Sequence, residues 1–358
     1  MKNNDNLLKN YHYDIPEELV AQIPADKREN SKLIVLNKKE QTISHHNFSD
    51  IVNMLSDNDC LVINTTKVVP ARLYGKKKTG GKVEILVLEP TAIGSKHTVL
   101  MKPYVKSGDT IYFEDGYECI VLNAENEKHK IVNFNKNNIL PLLEKHGLMP
   151  LPPYIKRKDN LAQKLADFDR ERYQTVYANS QGAIAAPTAG LHFTQDIFGK
   201  LKNKNIKIAE IILHVGWGTF KPILTDEISS HKMLPESYIL NESNAKIIND
   251  ALSENKRIIA VGTTTVRTLE TIANISGIYD KNNLLSIKPC NGQTDIFIYP
   301  GYDFKIVKSM ITNLHLPCST PLMMASAFAG RDFILSAYKE AISHKYRFFS
   351  YGDSMFIQ

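Results

Sequence analysis

Cysteine is scarce in this chain: four residues in 358, at Cys60, Cys119, Cys290 and Cys318, with no C-x-x-C pair. Neither a disulfide framework nor a cysteine-built zinc site is expected from that spacing. Long apolar runs are also missing. No stretch approaches the ~20 residues that span a bilayer, and Met1–Asn10 holds no apolar run of a secretory leader. A cytoplasmic protein with reduced thiols, not attached to a membrane, is the expectation. No repeat of ~20–50 residues recurs, which excludes solenoids and propellers.

Common nucleotide signatures fail as well. Gly75–Lys82 approaches a P-loop, but its Lys comes one place late, no Ser or Thr follows, and a strand is next. A Lys-rich hairpin tip or a phosphate contact is the reading left for it. No G-x-G-x-x-G opens a helix, and there is no G-x-S-x-G or H-E-x-x-H.

What is present describes an ordinary globular protein. Hydrophobic residues make up 43% and charged residues 23%, enough to bury a large core. The formal charge is +6, from 44 basic and 38 acidic residues. That permits a polyanionic partner without requiring one.

The patterns along the chain change in an informative order. Leu33–Leu36 and Cys60–Ile63 read as buried strands around a helical spacing at Phe48, Ile51, Val52 and Leu55. From Leu73 to Asn133, short β-rich runs recur every 8–12 residues or so, the pattern of a small antiparallel barrel. The prolines at 150, 152 and 153 mark an edge. Helices are then predicted at 194–203, 243–255, 264–275 and 331–344, with strands at 206–213, 257–261 and 294–298. The expected fold is α/β: a mixed main domain over 1–72 and 154–358, with a small antiparallel β-barrel domain inserted at 73–153.

Several loops carry chemistry-bearing residues. Ala186–Phe193 is a small-residue turn with His192. Leu213–Phe220 runs from a strand into a glycine loop with His214 and the only tryptophan, Trp217. Glycines there allow close backbone approach to a ligand, and an aromatic can face a cation such as a sulfonium. Asn313–Pro317 adds His315, and His231 is followed by Glu236. In Val261–Arg267 a β-branched strand meets glycine and then hydroxyl residues. This could be an anion site at a helix N-terminus served by Arg267, or a well-capped helix with Arg267 in a structural ion pair. The tail Tyr346–Asp353 mixes aromatics with Arg and Asp; it could line a pocket or pack as core.

These motifs together resemble the S-adenosylmethionine:tRNA ribosyltransferase-isomerase family of queuosine biosynthesis. The resemblance runs through Tyr13–Gln22, Asn64–Leu73, Thr79–Gly81, Tyr173–Ala178, Pro187–Phe193, His214–Phe220, Val261–Glu270, Asn313–Pro317 and Tyr346–Asp353. The chain departs from the family pattern at Thr65, Lys67, Leu234 and Cys318. The resemblance implies S-adenosylmethionine as a ribosyl donor and co-substrate, with no metal. It implies a tRNA carrying 7-aminomethyl-7-deazaguanine at the wobble position as acceptor, and epoxyqueuosine as product. A monomer is expected. With the strand-end loops, it makes His192, His214 and His315 candidates for proton transfer or orientation. Thr188, Gly190, Gly216, Gly218 and Thr264 would approach the nucleoside or its methionine end. Arg267 would hold a carboxylate or phosphate, with Glu236 and Asp353 as polar contacts. Arg72, Lys76, Lys77 and Lys78 would face RNA.

Overall fold

The computed structural model describes residues 3–122, 129–157, 159–220, 222–279 and 285–358. The opening strands are β1 (Lys32–Asn37) and β2 (Thr42–Asn47), then the short helix α1 (Ile51–Met54), β3 (Asp59–Asn64) and β4 (Thr66–Val68). Six strands follow: β5 (Arg72–Lys77), β6 (Lys82–Val87), β7 (Lys96–Lys102), β8 (Thr110–Tyr112), β9 (Glu118–Val121) and β10 (His129–Phe134). Next come α2 (Leu140–His146), α3 (Asp159–Lys164), α4 (Ala166–Arg172), β11 (Ser180–Ala183), α5 (Gln195–Asn203), β12 (Lys207–Leu213), β13 (Glu236–Leu240), α6 (Glu242–Ser253), β14 (Arg257–Val261) and α7 (Thr263–Ser276). The chain closes with the two-residue strands β15 (Ile278–Tyr279) and β16 (Leu285–Ser286), then β17 (Cys290–Thr294), β18 (Ser309–Asn313), α8 (Thr320–Ala329), α9 (Arg331–Ser343) and β19 (Ser354–Ile357).

The main sheet has the strand order β17-β13-β12-β3-β14-β18-β19-β1-β2. Its centre, β12-β3-β14-β18, is parallel, with Ile259 level with both Leu61 and Ser309. Every residue of β3 and β18 is buried. A parallel strand is covered on both faces, so near-continuous apolar runs are what such positions require. One face packs on α6, α7, α8 and α9 residues such as Ile248, Leu269, Met323 and Tyr338. The other packs on α5 and the preceding turn through Phe193, Ile197 and Phe198. Caps set the helix starts: Thr194 accepts from the Ile197 amide at 3.2 Å, and Asn241 from the Asn244 amide at 2.9 Å.

The six strands β5–β10 close into a barrel ordered β10-β7-β6-β5-β8-β9. Alternation along β6 and β10 sends Val83, Ile85, Val87, Val132 and Phe134 inward. α2 plugs the barrel core with Leu142 and Leu143, and Ile184 and Trp217 of the main domain pack against it. The mixed α/β domain with an inserted antiparallel barrel is therefore the observed architecture.

Several details differ from expectation. The P-loop-like segment is the β5–β6 hairpin, its tip closed by Gly80 N–H donating to the Lys77 carbonyl at 2.8 Å. The strand expected at 294–298 lies earlier, at Cys290–Thr294, because it pairs with β13 in a register that joins Glu236 to Thr294. β1 and β3 are not neighbours: β19 inserts beside β1, and β14 and β18 lie between. Lys158, part of the basic run at 156–158, lies outside the described residues.

Candidate active site

Parallel register lines up the C-terminal ends of four strands. β3 ends at Asn64, β12 at Leu213, β14 at Val261 and β18 at Asn313. Open α/β sheets bind ligands along this edge. A solvent-open cleft of about 710 Å³ lies there, lined by Thr188, Ala189, Gly262, Thr264, Asn313, His315, Tyr154, Tyr173, Phe349 and Ser350 among others. Among the described residues, no Asp, Glu, Lys or Arg lines it. A second cleft of about 350 Å³ shares Thr263, Thr264 and Pro321 with it and adds Met233, Arg267 and Phe297.

α7 begins between the two clefts. Gly262 takes φ +89°, a left-handed conformation in which a side chain is strained, and no side chain caps the helix. Thr263 and Thr264, the first residues of this 14-residue helix, line both clefts. Asn64 fixes the helix start by donating from Nδ2 to Thr264 Oγ1 at 3.2 Å and to the Leu213 carbonyl at 3.0 Å.

Asn313 joins the other loops. Its Oδ1 accepts from Thr188 Oγ1 at 2.9 Å, and its Nδ2 donates to His192 Nε2 at 3.2 Å and to the Phe349 carbonyl at 3.3 Å. His192 Nε2 is thereby an acceptor, so Nδ1 carries the proton and donates to Ser31 Oγ at 2.7 Å. Ser31 in turn donates to the Arg28 carbonyl at 3.2 Å. Burial, with Arg347 and Arg28 nearby, lowers the His192 pKa to about 3. The imidazole is neutral, and both its nitrogens are engaged behind the cleft wall.

His315 lines the cleft itself. Its Nε2 shares a hydrogen bond with Thr312 Oγ1 at 2.8 Å, and its amide donates to Tyr338 Oη at 3.0 Å. The Tyr13 hydroxyl donates to its carbonyl. Enclosure of the ring lowers its pKa to about 3. His214 is half-buried at the end of β12; its Nδ1 meets Thr66 Oγ1 at 2.8 Å and burial pulls its pKa below the ordinary value. Its ring lies where a side chain at Gly182 would have to go, 2.7 Å from that Cβ position.

Other candidates serve the frame. Arg267 and Glu236 are both about 5% exposed and pair with each other. Arg267 also donates to the carbonyls of Thr294 at 3.1 Å and Ile296 at 3.2 Å, and Glu236 accepts from the Gly216 amide at 2.8 Å. The carboxylate expected as an external ligand of Arg267 is thus supplied by Glu236. Gly216 and Gly218 make the turn against Glu236 and Leu234. At Gly190 the missing side chain makes room for Tyr177, whose Oη sits 2.0 Å from the would-be Cβ, so this glycine admits a neighbour rather than a ligand. Asp353 is buried, accepting from the Lys32 amide at 3.1 Å and the Arg347 amide at 2.8 Å, and is not in the cleft. Cys318 touches the Leu8 carbonyl at 3.5 Å, and Thr65 is buried against β12.

On the barrel, Lys76 and Lys78 are exposed and Lys77 lies 3.8 Å from Asp109. Arg72 is committed to Glu84 and, at 3.1 Å, to the Leu151 carbonyl. Sequence reasoning assigned no role to Asn64, Asn313, Tyr154, Tyr173 or Ser350. Asn64 and Asn313 each open a quoted motif and end a parallel strand, which was the available signal.

A family model described as queuosine biosynthesis protein matches residues 8–357. The chain is 46% identical over 352 residues to an S-adenosylmethionine:tRNA ribosyltransferase-isomerase of Thermosipho melanesiensis, covering 98% of this chain and 99% of that one. It is 48% identical over 352 residues to the enzyme of that name from Thermosipho africanus, with the same shares covered. A crystal structure of the S-adenosylmethionine tRNA ribosyltransferase from Thermotoga maritima matches with TM-score 0.55 at 33% identity, over 98% of this chain and 100% of that one.

Proposed function

This chain belongs to the family of queuosine biosynthesis proteins, and we propose from that membership how its cleft works. The chain is an S-adenosylmethionine:tRNA ribosyltransferase-isomerase, with S-adenosylmethionine as co-substrate and tRNA as acceptor. The acceptor base is 7-aminomethyl-7-deazaguanine at the wobble position. Its product is epoxyqueuosine, formed as adenine and methionine leave and the sugar is isomerised. The site of action is the cytoplasm, and the working unit a monomer. No helix among the described residues is long and apolar enough to cross a membrane.

The observation that carries this reading is an uncharged cleft beside an uncapped helix N-terminus. A sulfonium is poorly screened where no carboxylate is at hand, so its adjacent C5′ hydrogen is more acidic. Tyr154, Tyr173 and Phe349 offer aromatic surface to such a cation. The first amides of α7, with Thr264, suit an anionic group such as the methionine carboxylate. His315 and Thr188 orient the nucleoside. His192 acts through Asn313, as a positioning residue. His214 is the candidate for proton transfer: its ring is only partly enclosed, and although it does not itself line the cleft, its neighbour Val215 does. Exposed Lys76 and Lys78, with Lys77, hold the RNA backbone; Arg72 acts there by bracing β5 against β6.

The test is product analysis with S-adenosylmethionine and a tRNA bearing the deazaguanine. Adenine, methionine and a heavier nucleoside should appear in equal amounts. S-adenosylhomocysteine instead would make the chain a methyltransferase. No small product beside bound tRNA would leave a passive RNA-binding module.

A further inference from the structure

Outside the cleft, a ring nitrogen of His45, one of His344 and a carboxylate oxygen of Glu340 all lie within 4.8 Å of one another. His45 sits on the edge strand β2; Glu340 and His344 lie at the C-terminal end of α9. The cluster is partly open to solvent.

The hydrogen bonds decide which nitrogens hold lone pairs. His344 Nδ1 faces the Glu340 carbonyl oxygen at 3.0 Å, so it must donate. The Nε2 of neutral His344 is then free to bind a cation. His45 Nδ1 meets Tyr346 Oη at 2.8 Å, and that hydroxyl donates onward to the Leu33 carbonyl at 3.4 Å. When Tyr346 donates to Leu33, His45 Nδ1 is the donor in the 2.8 Å contact and Nε2 keeps its lone pair. Its Nε2 points at Glu340 Oε1 from 2.8 Å. With a proton on Nε2 this contact is a His–Glu hydrogen bond, and a metal ion would take that proton's place between the two groups. Each imidazole has its far nitrogen tied to an oxygen, the arrangement that orients metal-binding histidines. Lys32 Nζ is occupied by the carbonyls of His344 at 2.8 Å and Lys345 at 3.3 Å.

We propose that His45, Glu340 and His344 form a zinc-type divalent metal site that clips the edge strand β2 to the end of α9. Two imidazoles and one carboxylate are a ligand set such ions take, with water completing the shell. Bonds of ~2.0–2.2 Å place tetrahedral ligands roughly 3.3–3.6 Å apart; the two rings are stacked, with centroids 4.2 Å apart and planes at 25°, so one imidazole turns out of the stack when both meet the ion. The clip lies outside the ribosyl-transfer machinery.

The full-length protein, stripped with chelator, is titrated with Co²⁺ followed by absorption, then with competing Zn²⁺, and melted with and without metal. One equivalent should bind, and the melting temperature should rise. His45→Ala, His344→Ala and Glu340→Gln should each weaken binding by more than about tenfold. His12→Ala should not, and ribosyl transfer should be unchanged in all four. Absence of a protein-bound Co²⁺ spectrum, or equal affinity in His45→Ala and His344→Ala, overturns the proposal. Metal-free melting curves identify a variant that has lost its fold, and Glu340→Gln then decides.

Discussion

The buried pair Glu236–Arg267 offers a sharp test of how the cleft is framed. Both side chains are almost wholly enclosed. At a contact of ~3 Å and an effective dielectric of ~20, their attraction is ~5–6 kcal/mol. Desolvation offsets most of that, so the pair adds little beyond an apolar replacement. Removing one partner is different, because it strands a charge. Glu236→Gln should cost about 3–5 kcal/mol, and Arg267→Met about the same. The double variant leaves no charge. It should cost clearly less than the sum: Glu236→Gln keeps an amide oxygen for the Gly216 N–H, so only the carbonyls of Thr294 and Ile296 lose a donor, at ~1–3 kcal/mol each. Equilibrium urea unfolding of the four proteins gives the coupling energy directly. Single variants that cost under about 1 kcal/mol, or a strictly additive double, would refute the account of a dry, charge-neutral frame.

Acid should destabilise the protein early. The unfolded chain takes up a proton at His192 near the ordinary histidine pKa, whereas the folded chain refuses it until about 3. Stability therefore falls as pH drops through 6.5 or so, by ~2 kcal/mol at pH 5 from this residue alone. Unfolding at pH 7.5 and 5.0 should show it, and His192→Gln should flatten the slope. His214→Ala should remove most turnover with little change in tRNA affinity; full activity would end its assignment to proton transfer. Replacing Lys76, Lys77 and Lys78 with Ala should weaken tRNA binding and reduce the salt dependence by up to ~2 in slope, at ~0.7 per lost phosphate contact; an unchanged slope would move RNA off this hairpin. Gly190→Ala should cost about 1–3 kcal/mol through the collision with Tyr177, read as a lowered melting temperature.

The elements most legible in the sequence are those whose burial leaves a clear pattern. β3 and β14 read as apolar runs because both faces are covered. The barrel read as short β-rich runs recurring every 8–12 residues or so, since its strands are short and separated by turns. β2 gave no signal, since an edge strand of Thr, Ser, His and Asn is largely exposed. β13 and β18 mix polar with apolar residues, and their strand character comes from neighbours far away in sequence. The helix α8 is apolar on every side and lacks a helical stripe, so periodicity does not mark it. The site was legible as loops and not as contacts. His192, His214 and His315 look alike in sequence. Only packing separates a neutral imidazole locked between Ser31 and Asn313 from one that lines the cleft.

The chain's tail explains why the family resemblance spans nearly all of it. β19 lies between β18 and β1, antiparallel to one and parallel to the other. It is fully buried. Asp353, just before it, ties the start of β1 to Arg347. That anchoring carries Phe349 and Ser350 into the cleft, where Ser350 Oγ meets Tyr154 Oη at 2.6 Å and the Phe349 carbonyl completes Asn313. Phe349 itself takes φ +71°, an unfavourable conformation for a bulky residue that its surroundings must hold in place. The cleft wall thus joins residues near 154, 188, 264, 313 and 350, and none of these segments closes the cleft by itself. The barrel can be inserted at β4 because that junction lies at the sheet's C-terminal edge, with Val68 packed on Tyr173 and Tyr351.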